Sequence, residues 1–229
     1  MKEIIFGLVL LINSLSNPLQ TGSLQIGKIE IANEFGKIPI LEYHHIDSKP
    51  SLYSRSAGQF KNDLLWFYDN GYVSFSLDDF ANSNFTIPAG KKPVVFTFDD
   101  GIMSQFHYLD DGSIDPDCAV GIMDSFFVEH PDFGRAATFF VNDNPFGQPQ
   151  MIKKKFEYLQ KTGRIIGFHT RKHVNMRNFP FQKMKEILLD QTTYLSEFMP
   201  NGMNLRYLAY PFGGVSKVKM EDLVKEKDF

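Results

Sequence analysis

The chain has 229 residues, 43% of them hydrophobic and 14% aromatic, with 23 phenylalanines, which is enough apolar surface for one large core and excludes a disordered chain. A formal net charge of −3 without a basic stripe gives no long-range attraction to nucleic acid or to an anionic membrane. The single cysteine, Cys118, excludes an intramolecular disulfide and a cysteine-rich zinc site, and a lone Cys in such a chain reads as a small buried side chain.

The first residues have the pattern of a targeting segment. Lys2 precedes an apolar run from Ile4 to Ile12, and a polar stretch from Asn13 to Pro18 follows. The run is shorter than the ~20 residues that span a bilayer and fits the apolar region of a signal peptide, with Ser14-Leu15-Ser16 as a small-residue cleavage site. Residues 1–24 are therefore expected to be a signal peptide or an N-terminal anchor, and the protein to be exported.

Downstream the chain alternates strand and helix signals. Residues 38–43 read as a strand running into His44-His45. Ser56 and Gln59 form a capping-box pair ahead of Phe60, Leu64, Phe67 and Tyr68, which share one helix face, and Asn70-Gly71 ends that helix. Tyr72 to Phe75 is the next strand, and a loop rich in Asn, Ser, Pro and Gly leads from it to Pro93-Val94-Val95-Phe96-Thr97-Phe98, a buried strand ending in Asp99-Asp100-Gly101.

Residues 102–117, with four aspartates, Gly112 and Pro116, are expected to be a solvated loop; the calcium-loop glycine and distal glutamate are missing. Ala119 to Glu129 reads as a helix and Ala136 to Val141 as a strand. A helix carrying Ile152, Phe156 and Leu159 stops at Gly163, and a short strand delivers His169. Met184, Ile187, Leu188, Leu195 and Phe198 mark a long amphipathic helix, Leu205 to Tyr210 a sixth strand, and Met220 to Lys227 a final helix. This alternation implies a parallel sheet or barrel with helices outside.

In such folds chemistry gathers at the C-terminal ends of strands. Asp99 and Asp100 could merely start a turn. As a like-charged pair, however, they need a cation, a proton or strong hydrogen bonds to coexist. His169 and His173 are four residues apart, so one helical turn would put both imidazoles on one side. Two histidines and one carboxylate give three protein ligands with open positions, the donor set of a hydrolytic zinc-type site.

Three segments together resemble the motifs of the polysaccharide deacetylase family, the NodB-homology domain of the family-four carbohydrate esterases. Thr97-Phe98-Asp99-Asp100-Gly101 is similar to the first motif, His169-Thr170-Arg171-Lys172-His173 to the second, and Ala209-Tyr210-Pro211-Phe212-Gly213 to the third. The resemblance extends over residues 37–229 and implies a distorted (β/α) barrel of about seven strands. Six strand candidates are present, so either the chain is truncated at its C-terminus or an N-terminal strand closes the barrel.

The resemblance implies that Asp100, His169 and His173 bind a divalent metal, zinc first and cobalt, nickel or manganese also accommodated. It further implies that Asp99 is the general base, kept ionised by its neighbours, and that the Phe212 N–H holds the oxyanion. Thr170 is expected to shape the metal loop. Where many relatives carry a base-orienting arginine this chain has Ala209, and Arg206 is not an assured replacement.

Residues 41–46, Leu-Glu-Tyr-His-His-Ile, resemble the early segment of poly-N-acetylglucosamine deacetylases. That branch is the closest in pattern and makes His44 the candidate general acid ahead of His45; two histidines merely packed at a strand end are the alternative. His107 and His130 read as surface residues. The expected activity is removal of N-acetyl groups from an amino-sugar polysaccharide, of poly-N-acetylglucosamine, chitin or peptidoglycan type. The polysaccharide is the only partner implied, with no nucleic acid and no obligate protein partner. An O-acetyl esterase such as an acetyl-xylan esterase, or a carbohydrate-binding relative without turnover, are the alternatives.

Overall fold

The structure, a computed structural model, describes residues 37–49, 51–215 and 217. The expected signal segment and the expected helix from Met220 to Lys227 lie outside these residues.

The longest strand is β5 (Lys92–Phe98), and the main sheet is built on it. All its residues after Lys92 are buried, as expected of a parallel strand covered on both faces. Strand β1 (Ile40–Tyr43) lies parallel to it, pairing Ile40 with Val95 and Tyr43 with Phe98. The amides of Val95 and Asp99 point to β1, donating to the carbonyls of Pro39 (3.0 Å) and Tyr43 (2.9 Å). Lys92 is out of phase with them and donates to Gly71 on the other side.

That second edge is shared. Strand β4 (Tyr72–Ser74) takes its first half, and β6 (Thr138–Val141) takes Thr97 and Phe98. Strand β7 (Ile165–Phe168) pairs in parallel with β6 along its whole length. The main sheet therefore holds five parallel strands among the described residues.

The sixth expected strand, Leu205 to Tyr210, is reduced to a single parallel bridge between Phe168 and Leu208. Phe168 N–H donates to Tyr207 (2.7 Å) and Ala209 N–H to Phe168 (3.0 Å), so the segment follows β7 for only two bonds. Before the bridge, Arg206 and Tyr207 both reach Asp78 in the short helix α2 (Leu77–Ala81), which draws the chain off the sheet. A second, two-residue parallel pair, β2 (His45–Ile46) and β3 (Ser54–Arg55), was not expected. Two residues are too few to show an alternating pattern.

The helices follow the sequence closely. Helix α1 (Ala57–Asp69) begins in the expected capping box, with Ser56 Oγ accepting from Gln59 N–H and the Gln59 side chain accepting from Ser56 N–H. Helix α3 (Ala119–Glu129) is N-capped by the Sγ of buried Cys118, a structural role for the lone thiol. Helix α4 (Ile152–Lys161) buries Ile152, Phe156 and Leu159 and ends before Gly163, whose φ of +72° suits glycine. Helix α5 (Phe181–Ser196) buries Met184, Leu188 and Leu195; Phe198 lies beyond its end and still packs against the core.

Phenylalanine dominates the core. Phe98 stacks on Phe139 at 4.8 Å between ring centres, and Phe60 of α1 meets Tyr43 edge-on at 5.0 Å and Phe98 at 5.7 Å. Replacing Phe60 by alanine is expected to cost about 3–5 kcal/mol, read from urea unfolding midpoints, because the ring is fully buried and wedged between the two site-bearing strands.

Residues 102–117 are not simply the solvated loop expected. Asp110 and Asp111 are exposed, but Gln105, Phe106 and Tyr108 are buried, because the loop's stem has its own apolar anchor in the main core. Two of its aspartates find partners within the loop: Asp111 accepts from Ser113, and Asp115 accepts from His107 Nδ1 at 2.9 Å. His107 and His130 are also partly buried. His130 packs on Tyr68 (4.3 Å) and Phe126 (4.6 Å).

Candidate metal centre

The C-terminal ends of β1, β5 and β7 open into one cavity of about 840 Å³, lined among others by Glu42, His44, Asp99, Asp100, His169, His173, Ala209, Tyr210 and Phe212. The six site residues named from the sequence are thus brought together. His45 also borders the cavity, but its Nδ1 is paired with Asp47 at 3.4 Å. Arg206, considered above as a stand-in for a base-orienting arginine, faces Asp78 at 3.7 Å and does not line this cavity.

Asp100, His169 and His173 offer one donor atom each to a common point. Asp100 Oδ1 lies 3.4 Å from His169 Nε2 and 3.3 Å from His173 Nε2. Ligands about 2.1 Å from a tetrahedral metal are separated by about 3.4 Å, so these edges fit such an ion. The second ring nitrogen of His169 is 2.9 Å from the Ala209 carbonyl. A proton on that nitrogen leaves Nε2 free as a ligand, the usual outer support of a metal-binding histidine. Position 209 thus serves the site through its backbone, whatever its side chain. Asn142 Nδ2 lies 3.4 Å from Asp100 Oδ1, a contact the sequence did not suggest.

Backbone strain collects at this point. Asp100 (φ +74°), Thr170 (+54°), His173 (+48°) and Phe212 (+59°) all lie in the left-handed region, which costs a non-glycine residue of order 1–3 kcal/mol. The two histidines are not on a helix turn as expected. Thr170 O accepts from His173 N–H (3.1 Å) and Thr170 Oγ1 from Val174 N–H (2.9 Å), closing a tight left-handed turn instead. The expected loop-shaping role of Thr170 matches this geometry. Gly101 is required for another reason: a Cβ there would sit 2.8 Å from Val141 Cγ1.

Asp99 is 7% exposed, and burial pushes its carboxyl up to about 7, with His169 opposing and Glu42 and Asp100 adding to the rise. Neighbouring charges were expected to keep it ionised; in the protein alone, desolvation outweighs them. Asp100 is shifted the other way, below the usual carboxylate range, chiefly by its hydrogen bond from His169. Burial works against charge on His169, but Asp100 and Asp99 outweigh it and hold that imidazole above its ordinary value.

No arginine or lysine pairs with Asp99 among the described residues. Its backbone is held instead: its N–H donates to Tyr43, and buried Gln105 Nε2 donates both to the Asp99 carbonyl (2.5 Å) and to the His44 carbonyl (3.0 Å). Gln105 was missed because a glutamine inside an irregular loop carries no pattern. Glu42 was also missed as a site residue, although positions two apart on a strand share a face, and its Oε1 lies 3.7 Å from His44 Nε2. Tyr53 covers the His44 ring at 5.1 Å, and the exposed Phe212 ring meets His173 at 4.5 Å. Nothing in the chain accepts the Phe212 N–H among the described residues.

Known proteins resemble the chain in sequence pattern and in fold. The family model described as polysaccharide deacetylase matches residues 86–227. No curated protein matches the sequence. Among solved structures, the deacetylase PplD of Streptococcus pyogenes, in complex with acetate, aligns with a TM-score of 0.62 at 20% identity, covering 82% of this chain and 79% of that one. IcaB from Ammonifex degensii aligns at 0.56 and 21% identity, over 76% and 74%. BC0361, a polysaccharide deacetylase from Bacillus cereus, aligns at 0.57 and 22% identity, over 79% of this chain but 52% of that one. At such identities the shared property is the fold, a distorted (β/α) barrel of which the main sheet forms the arc.

Proposed function

The chain belongs to the polysaccharide deacetylase family, and on that premise we propose that it removes N-acetyl groups from an amino-sugar polysaccharide with the help of a divalent metal, zinc first. The observation that carries this reading is the donor triangle of Asp100, His169 and His173, with its edges of 3.3 and 3.4 Å and Asp99 beside it. A metal held there would lower the pKa of a bound water and polarise the acetyl carbonyl. Cobalt, nickel or manganese suit the same donors.

The remaining work falls to the chain's own side chains. Asp99 accepts the proton of the attacking water as the new C–O bond forms. The N–H of Phe212, which has no partner among the described residues, donates to the oxyanion of the tetrahedral intermediate. His44 gives a proton to the amide nitrogen as the C–N bond breaks, leaving acetate and a free amine. Gln105 holds the backbones of Asp99 and His44 at one point. The cavity is open to solvent beside the exposed rings of Tyr53 and Phe212, which suits a polymer better than a small enclosed ligand.

An amide demands more of the acid than an ester does, because an unprotonated amine is a poor leaving group. His44→Ala is therefore expected to lower turnover on an N-acetylated oligosaccharide by about 10²–10⁴-fold while metal binding persists. Hydrolysis of p-nitrophenyl acetate, whose leaving group needs no proton, is expected to fall much less. Equal losses on both substrates would remove His44 from the acid role.

An O-acetyl polysaccharide esterase would use the same groups. Acetate release from chitooligosaccharides against acetylated xylan, at equal acetyl concentration, decides between the two: preference for the first supports this proposal, and activity confined to xylan overturns it. An exported location completes the reading, supported by the apolar run from Ile4 to Ile12. No described helix is long and apolar enough to cross a membrane.

A further inference from the structure

Beside the donor triangle lies a second group of three. Glu42, His44 and Asp99 each present one ligand atom, and these atoms lie within 4.8 Å of one another. Glu42 Oε1 and His44 Nε2 are 3.7 Å apart, close to the ~3.4 Å edge of a tetrahedral site. The group is a mixed set of one imidazole and two carboxylates, a donor class that zinc and its neighbours accept.

Asp99 supplies an independent sign of an unfilled need. It is 7% exposed, yet no hydrogen-bond donor reaches its carboxylate among the described residues, and its one ion-pair contact is His169 Nε2 at 3.8 Å. The carboxylate keeps only a narrow face on the cavity and no donor of its own, and a cation bound on the cavity side would pair with it. Glu42 stands at the opposite rim with its side chain 63% exposed, where it meets ions arriving from solvent.

We propose that Glu42, His44 and Asp99 form a second divalent-cation site, weaker than the first, whose occupancy inhibits the enzyme. It is weaker because the Glu42 side chain, more exposed than any ligand of the first site, must be ordered to bind, at a greater entropic cost. Occupancy inhibits because two of its three ligands are the groups that accept and donate protons; once coordinated, neither lone pair is available. The inhibitory consequence rests on the deacetylase reading above. The binding itself does not.

The test is a calorimetric titration of metal-stripped full-length protein with zinc, run beside acetate-release assays at rising zinc concentration. Two classes of site are expected in the wild type. Glu42→Gln, at an exposed position that leaves the core untouched, should weaken the second class by about tenfold or more and leave the first. His173→Asn should abolish the first. Acetate release should rise to one equivalent of zinc and fall beyond it in the wild type, with the fall displaced to about tenfold higher zinc in Glu42→Gln when each protein is scaled to its own maximum.

A single class of sites in the wild type would overturn the second site and leave the deacetylase reading standing. Binding of no zinc at all would overturn both. Equal inhibition of the wild type and Glu42→Gln would assign the inhibition to another place and overturn the proposal.

Discussion

Asp99→Asn is expected to retain one tightly bound zinc per chain and to lose deacetylation by about 10²–10⁴-fold. The two properties separate because Asp99 and Asp100, though adjacent, face different tasks. Asp100 Oδ1 closes the triangle with both histidines, whereas the Asp99 carboxylate lies off it, nearest to His169 at 3.8 Å. Asparagine keeps the shape of the side chain. It also keeps the backbone bonds that hold residue 99, to Tyr43 and from Gln105, so the neighbouring turn has no reason to move. What it removes is the lone pair that takes the proton from water. The assay is initial acetate release from an N-acetylglucosamine oligomer, with bound metal measured on the same samples. Loss of metal along with activity would make Asp99 a ligand, and survival of activity would place the base elsewhere.

His173→Asn is expected to remove the tight metal and with it essentially all turnover. Asparagine tolerates the left-handed backbone that residue 173 adopts (φ +48°), so the turn persists while the side chain falls short of the triangle. His173 is partly exposed, and among the described residues its ring meets the aromatic rings of His169 and Phe212 alone, so little packing is lost. In a thermal or urea unfolding experiment, zinc at a hundred times its dissociation constant should stabilise the wild type by about 2.7 kcal/mol and the variant by almost nothing at the same concentration. Equal stabilisation of both would mean that zinc binds outside the triangle.

Much of the arrangement was legible in the residues. Strand β5 reads as buried because the six positions from Pro93 to Phe98 show no polar alternation, Thr97 being the one polar side chain, and the chemistry begins where that run stops. The helices declare themselves through Ser56-Gln59, through Phe60-Leu64 and through Gly163, each a local signal with a local cause. Other features required three dimensions. The turn that joins His169 and His173 depends on Thr170 holding a strained left-handed backbone, and four-residue spacing alone suggests a helix. The segment at Leu205 to Tyr210 has strand composition, but Asp78, far away in sequence, decides how much of it pairs. Gln105 sits in a loop whose composition reads as solvated, and only the fold puts its amide between two carbonyls from distant segments. Glu42 is an intermediate case. Strand periodicity could have put it on the face of His44, yet an exposed glutamate two residues from a histidine carries meaning only once Asp99 is seen beside both.

The absence of an arginine beside Asp99 among the described residues has a structural counterpart. The Ala209 carbonyl still orients His169, and Gln105 fixes the backbone of the base, so the site is braced through main-chain groups where a long cation would otherwise stand. Burial raises the Asp99 carboxyl to about 7 in the protein alone, and a divalent charge in the adjacent triangle favours its ionised form.

On the proposed function, one metal in the Asp100–His169–His173 triangle enables deacetylation of an amino-sugar polymer. The most direct measurement is acetate released from a defined N-acetylglucosamine oligomer by metal-stripped protein as zinc is added back in fractions of an equivalent. Stripped protein should release none, release should rise linearly and stop at one zinc per chain, and His173→Asn should show no rise at all. Release that does not depend on added metal, or a wild-type and His173→Asn response that coincide, would contradict it.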